Sequence, residues 1–417
     1  MKRYSGLVVS LVVLGSIMVS IFASSNSSHA EATTKSADRF LDVKANFWAK
    51  SSIDYAVSKG YLKGVGNGLF KPDAPVTRAE LAAVLSRVSI NTENQVNGEF
   101  PDLVGHWSKD EVNRAAALGF FKPSDFPNGF KPTRKLTRTE MAKWMVYGLA
   151  AHDADYGQAL KDTADTLVPV AEYYKGGLNK LDYPIVSVAL GTGLMSGYPD
   201  GTFGTGKTTT RAEVAAILMR YESIQTKAAN SYRDLNELRE VGLTGTNVLS
   251  ISKKVTWGNY NGKDLTLDRI MRTPIDAKNH IGSLVLHRMI YVDASPGVKN
   301  RGIYADMFAE PGDVVDDYYR IYTDISITPK KTVTNSMSFV SALDWVIGTG
   351  TFTLAGKYGY SSLRQTGYSK SEGKYITFGD IMPGGKTTRV WVRSAYVKDN
   401  YMDIVTGTGT YASLKVE

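Results

Sequence analysis

The apolar positions of this chain change period near its middle. Between residues 40 and 224 they recur three and four apart in short runs, as in amphipathic helices. Beyond residue 245 they alternate, as in strands. In the first half the runs come in pairs, three times over. The first run of each pair holds Trp48, Ile53, Ala56 and Val57, ending at Gly60; then Trp107, Val112, Ala115 and Ala116, ending at Gly119; then Leu181 to Gly193, with Leu181 where the others carry Trp. A glycine after the last apolar residue is a helix-stop signal. The second run holds Leu81, Val84, Leu85 and Val88; then Met141, Trp144, Met145, Gly148 and Leu149; then Val214, Ile217, Leu218 and Tyr221. Matching stripes on three short helices predict a bundle with three-fold pseudo-symmetry.

Each second helix opens on one motif: Thr77-Arg78-Ala79-Glu80, Thr137-Arg138-Thr139-Glu140 and Thr210-Arg211-Ala212-Glu213. Thr-x-x-Glu is a capping box, so the three threonines are predicted N-caps. Phe70, Phe130 and Phe203 each stand 8 residues before the Arg. Such regularity marks an array of one unit. The units open at Asp42, Asp102 and Asp162, 60 residues apart, and the Asp-to-Arg intervals are 36, 36 and 49. The third unit therefore carries a 13-residue insertion (49 − 36), placed within 163–181. The predicted segments are units at 38–90, 98–150 and 158–224, a helical or loose connector at 225–244, and a β-rich region at 245–417.

The loops between paired helices share glycines at their first, fifth and ninth positions: Gly60, Gly64 and Gly68, then Gly193, Gly197 and Gly201. Glycine there permits positive φ and lets a ligand approach the backbone. The Gly119–Phe130 loop is one residue longer and has Pro123 where a glycine is expected. The arginines need a reason, because a cation in a helix's first turn opposes the dipole by about 0.3–1 kcal/mol. One reason is a fixed partner, for which Asp42, Asp102 and Asp162 are at hand. The other is an anionic ligand held by the Arg, the helix N-terminus and the glycine loop. The two are compatible, since a paired Arg still has N–H groups to donate. Because Thr77 and Glu80 would still cap the helix, Arg78→Ala is expected to leave the bundle folded.

Lys2 and Arg3, the apolar stretch Gly6–Ala23 and Ser28-His29-Ala30 have the layout of a secretory leader over residues 1–30. The polar Ser24–Ser28 run favours cleavage over a retained membrane anchor. Cleavage takes the formal charge from +8 to +6 by removing two cations. A mildly basic exported chain suits an acidic partner, and export argues against nucleic acid. There is no cysteine. That excludes disulfides, thiolate catalysis, cysteine-based zinc sites and lipoprotein anchoring.

In the second half, 283–291, 318–327 and 388–396 alternate, and Ser295-Pro296-Gly297, Pro311-Gly312 and Pro383-Gly384-Gly385 separate them. The pattern predicts an antiparallel, sandwich-like all-β domain. His280 and His287 are isolated. Asp313, Asp316 and Asp317 have the composition of a solvated turn, with a cation site or a glycosidase pair as the alternative. Tyr318, Tyr319, Tyr322, Tyr358 and Tyr360 fit strand and core propensity at least as well as sugar stacking. No nucleophile–base pair, phosphate loop or zinc motif stands out, so no catalytic residue, metal ligand or cofactor is predicted.

With the Phe-x-Asp opening, the Trp, the Gly-x-Phe-x-Pro turn and Thr-Arg-Ala-Glu in register, residues 38–224 resemble S-layer homology repeats. The resemblance implies a pseudo-trimer around a three-helix bundle. It also implies non-covalent binding of the secondary cell wall polysaccharide, often through a pyruvylated N-acetylmannosamine, in grooves between adjacent units. The residues it nominates are Arg78, Arg138, Arg211, Lys71 and Lys131, with Gly60, Gly64, Gly193, Gly197, Asp42, Asp102, Asp162, Trp48 and Trp107 around them. Unit three departs, with Gly204 for the Lys and Thr205 where the others have Pro72 and Pro132. The groove using the Gly119–Phe130 loop is expected to be weakest. The chain is thus expected to be an exported, non-enzymatic surface protein without membrane contact after cleavage, displaying its β domain for lattice self-assembly or adhesion. The alternatives are a wall-attached polysaccharide or peptide hydrolase, and a soluble protein whose β domain also binds sugar.

Overall fold

The computed structural model describes residues 40–96, 99–310, 316–343, 346–350, 352–398 and 400–416. The predicted leader, the start of the first unit at 38 and Asp313 lie outside the described residues. The helical half contains α1 (Lys50–Ser58), α2 (Arg78–Val88), α3 (Lys109–Ala117), α4 (Arg138–His152), α5 (Ala154–Asp162), α6 (Glu172–Lys175), α7 (Tyr183–Gly191), α8 (Arg211–Ile224) and α9 (Arg233–Thr244). Among the described residues no helix is long and apolar enough to cross a membrane.

The three threonines cap α2, α4 and α8 as predicted, each hydroxyl accepting from the Glu amide three residues on. Their apolar stripes share one core. The units do not stand side by side, however. They interleave: α3 packs on α2, α7 on α4, and α1 on α8. The stretches ahead of α2, α4 and α8 close a triangle of backbone bonds. Val76 N donates to Thr209 O at 3.0 Å, Thr209 N to Leu136 O at 3.1 Å, and Leu136 N to Val76 O at 2.9 Å. Three-fold pseudo-symmetry is thus built into the main chain.

Two sequence expectations change here. Trp48, Trp107 and Leu181 do not join the buried stripes of the first helices; they are 63%, 63% and 84% exposed. Trp48 and Trp107 lie two residues ahead of the first helical residue, where the helical period does not yet apply, and Ala49 and Ser108 are buried instead; Leu181 lies in the 3-10 turn Lys180–Asp182 ahead of α7. The 60-residue spacing also misleads at Asp162. It ends the additional helix α5, which packs on α4, α7 and α9. Its buried carboxylate accepts from Arg239 Nε at 2.8 Å and from Gln158 Nε2 at 2.7 Å.

The segment after α8 is a regular helix, α9, burying Leu235, Leu238 and Val241. The strands beyond are β1 (Val255–Trp257), β2 (Asn259–Tyr260), β3 (Lys263–Asp264), β4 (Pro274–Asp276), β5 (Gly282–Asp293), β6 (Tyr318–Pro329), β7 (Gly367–Ser369), β8 (Lys374–Ile376), β9 (Thr388–Val397), β10 (Met402–Val405) and β11 (Tyr411–Val416). They form several small antiparallel sheets in place of the expected two-sheet sandwich: β4-β5-β6-β9, β1-β11-β10, and the hairpins β2-β3 and β7-β8. One face of the four-stranded sheet (Leu286, Ile325, Val392) shares a core with Ile404 and Leu414 of the three-stranded sheet. The opposite face (Ile290, Tyr322, Trp391) packs on Leu238 and Val241 of α9 and on Leu167 and Ala171 of the segment between α5 and α6. The sheet is therefore covered on both sides, the second side by the helical half.

The helix at this junction carries a pH signature. Glu237 and Glu240 of α9 are pushed up to about 7 by desolvation, which outweighs the hydrogen bonds they accept. Their folded values exceed an unfolded Glu near ~4.3. Their favourable contribution is complete below that value and lost as pH rises through 7. His287, lowered chiefly by burial, works the other way, one group against two. The melting temperature is expected to fall between pH 5 and pH 8. A flat or rising calorimetric profile over that range would contradict this.

Candidate functional site

The motif arginines are buried, with Arg78, Arg138 and Arg211 only 6–8% exposed. Each reaches across to the glycine loop of the next unit. Arg138 donates from Nε to Phe203 O at 2.8 Å and from Nη2 to Ser196 O at 2.6 Å. Arg211 does the same to the first loop: Nε to Phe70 O at 2.8 Å and Nη2 to Lys63 O at 2.6 Å. Arg78 donates from Nη1 to Phe130 O at 2.5 Å. Its second carbonyl is missing, because Lys122 O in the longer loop accepts instead from Asp125 N. Glu140 fills the gap. Its carboxylate does not return to Thr137 but accepts from Arg78 Nε at 2.8 Å. Each guanidinium also lies over a ring, Phe126, Phe203 and Phe70 respectively, at 4.5–5.1 Å.

The expected Arg–Asp pairing is not what forms. Asp42 accepts from the Phe70 and Lys71 amides at 2.9 and 2.7 Å, and Asp102 from Phe130 and Lys131 at the same distances. In unit three this post belongs to Glu172, not Asp162; it accepts from Phe203, Gly204 and Thr205. Counted from Glu172 the interval to Arg211 is 39, so the expected 13-residue insertion within 163–181 does not hold: the additional residues, with α5, come before the unit's opening carboxylate. Desolvation opposes ionisation of Asp42 and Asp102, but these amide bonds outweigh it and hold both carboxyls below their usual range. Their stabilisation is present above the unfolded value near ~4 and lost as pH falls through the folded one. That sets the acid limb of the pH profile.

Lys71 and Lys131 adopt left-handed backbone, φ 56° and 55°, and Gly204 takes that position in unit three with φ 79°. Left-handed backbone favours glycine, which accounts for Gly204 on conformational grounds. The side chains of Lys71 and Lys131 are exposed. Gly60 and Gly193 have positive φ, 73° and 71°. Gly64 does not: a Cβ there would meet the Phe40 ring at 2.6 Å and Leu69 O at 3.0 Å, so the space beside it is filled by the protein. Nor are the helix N-termini open donors. The Arg78 and Ala79 amides donate to Arg134 O and Pro132 O, and those of Arg138 and Thr139, and of Arg211 and Ala212, are taken likewise by the neighbouring turn.

The arrangement thus locks three units into a ring. Around it lie the exposed Trp48, Trp107 and Leu181 and the exposed lysines. A cavity of about 410 Å³ opens on the first loop, lined by Phe40, Gly60, Lys63 and Gly64. A cavity of about 540 Å³ opens on the third, where Ser196, Gly197 and Tyr198 are joined by Lys299, Arg301 and Asp306 from the β-rich region. Sequence reasoning gave no sign of that second contribution, since the two segments are about a hundred residues apart.

The chain carries three S-layer homology domains, matched at residues 39–82, 99–142 and 179–215. The third match begins beyond α5 and leaves Asp162 outside. Cell surface glycoprotein 1 of Acetivibrio thermocellus is 34% identical over 118 residues, 25% of this chain and 5% of that protein. S-layer protein sap of Bacillus anthracis is 28% identical over 183 residues, 43% of this chain and 21% of the relative. S-layer protein EA1 of the same organism is 25% identical over 219 residues, 51% and 24%. The chain therefore spans less than a quarter of each of these relatives.

Proposed function

We propose that this chain, with its three S-layer homology domains, is a surface protein held non-covalently to the cell wall by the ring of three units. The observation that carries the reading is the triplet itself: three in-register copies closed into one body. The ligand we assign is a pyruvylated secondary wall polysaccharide. What favours an acidic sugar is the outer surface near the loops, where exposed Lys71 and Lys131 supply charge and exposed Trp48 and Trp107 supply faces for stacking. The buried arginines act in this reading as positioning residues for the loops. The β-rich region is displayed and non-catalytic, available for lattice assembly or adhesion.

The test uses the fragment 31–244 and purified walls, with and without acid extraction of their secondary polymer. Sedimentation with intact but not stripped walls is expected, and no release of sugar or peptide by the whole chain. The Trp48→Ala/Trp107→Ala double variant should lose about tenfold or more in wall affinity, since base or sugar stacking on an aromatic is worth ~1–3 kcal/mol. Its melting temperature should not move, because both rings are exposed. Equal sedimentation with stripped walls would refute the polymer as ligand.

A further inference from the structure

A second cleft lies between the four-stranded sheet and the segment from α6 to α7, lined by Tyr173 and Tyr174 next to Glu172. β5 contains a bulge: Leu286 pairs with Ile325 and Arg288 with Asp324, leaving His287 extra. A bulge re-aims the side chains that follow it. Here Leu284 and Leu286 face one core, and Met289 and Tyr291 continue on that same face. Arg288 is thereby turned to the other face, toward the segment between α5 and α6. There it stands in a cross-strand row with Asp324 and Trp391.

The row floors a cleft of about 360 Å³, walled by Tyr173, Tyr174 and Tyr183. That volume is within the ~300–1,000 Å³ of small-ligand sites. The rings of Tyr173 and Tyr183 lie 4.9 Å apart at 37°, packed on one another as an aromatic pair at the edge of the cleft. Tyr174 OH is fixed by Trp391 Nε1 at 2.9 Å.

The charges in the cleft do not cancel. Asp324 is spent on the Arg389 fork, at 3.0 and 2.7 Å. Arg288, 8% exposed, donates from Nη2 to Asp165 O at 3.0 Å. The Asp165 carboxylate is itself turned to Lys180 and Arg272, at 3.5 and 3.4 Å. Among the described residues Arg288 Nε is buried with no hydrogen-bond partner; the guanidinium lies 6.0 Å from the centroid of the Tyr173 ring. A buried guanidinium N–H left unpaired is costly unless a ligand completes it. An aromatic pair beside a surplus guanidinium suits a ring with one apolar face and one carboxylate.

We infer that this cleft binds a carboxylate-bearing monosaccharide unit, packed against the Tyr173–Tyr183 pair through Tyr183 with its acid group on Arg288. The site stands whether or not the three-unit ring anchors the chain to walls. The test is saturation-transfer NMR on residues 31–417 with free glucuronate, galacturonate and glucose as probes. At least one uronate should bind ten-fold or more tighter than glucose. In the Trp48→Ala/Trp107→Ala background, which removes the proposed stacking surface of the ring, uronate binding should persist, and Arg288→Met and Tyr183→Ala should each weaken it ten-fold or more. Circular dichroism checks folding; if Arg288→Met does not fold, Tyr183→Ala decides. Uronate binding no tighter than glucose, no uronate binding, or uronate binding that survives Tyr183→Ala overturns the assignment.

Discussion

Arg78→Ala is expected to loosen the ring of units itself. The guanidinium is the hydrogen-bond and ion-pair partner of the Glu140 carboxylate, whose second oxygen is buried without one. Removing the arginine strands that carboxylate and frees Phe130 O. Breaking one side of a buried pair costs about 3–5 kcal/mol. That corresponds to about 10 °C of melting temperature at 2–4 °C per kcal/mol. Capping does not rescue it: Thr77 and Glu80 hold α2 but nothing in loop two. Arg138→Ala and Arg211→Ala should cost less, about 2–3 kcal/mol: they free carbonyls, and Glu213, paired with Arg138 only at 3.8 Å, keeps its bonds from Tyr198 and Thr210. The diagnostic variant is Arg78→Ala/Glu140→Gln, which should recover part of the loss. Differential scanning calorimetry reads the series; an unchanged melting temperature for Arg78→Ala would return the arginine to a purely ligand-facing role.

A fragment ending at residue 224 should be markedly less stable than one ending at 244. α9 packs on α5 and α7, and Leu235 belongs to the helical core. Burying one leucine contributes about 1.5–3 kcal/mol. Cutting at 224 also removes Arg239, which bridges Asp155 at 2.9 Å and Asp162 at 2.8 Å. Leaving the buried Asp162 without that partner adds a cost of similar size. A drop of about 4–6 kcal/mol is expected, read by urea denaturation of the two fragments. Coincident unfolding curves would mean that α9 belongs with the sheets alone.

How much of this was legible depends on where each determinant resides. The Thr caps, the helix-ending glycines and the stripes of the second helices are local, and the chain folds there as its sequence reads; the first-helix stripes do so without Trp48, Trp107 and Leu181. The arginines were singled out correctly as needing a partner. The partner was missed because it is a carbonyl in the next unit, and carbonyls leave no trace in side-chain spelling. Asp162 was misplaced because a 60-residue interval happened to end on an Asp, whereas Glu172 does the work from a different distance. A signal was present: only Glu172 lies about thirty residues before its Phe, as Asp42 and Asp102 do. The sandwich expectation failed for a related reason. Alternation revealed a sheet but not that helices would cover its second face. The unbroken apolar run Met289-Ile290-Tyr291-Val292 was the hint.

The interleaving of the units fixes when this protein is able to fold. Tyr55 OH donates to Glu222 at 2.6 Å across 167 residues, because α1 rests on α8. Contacts so distant in sequence are slow to form, since the loop between them must close first. A chain appearing from its N-terminus cannot complete its first unit until its third has arrived. Whatever machine handles this polypeptide therefore meets some two hundred residues with no finished core, and the last of the three units, not the first, sets the moment at which the ring snaps shut.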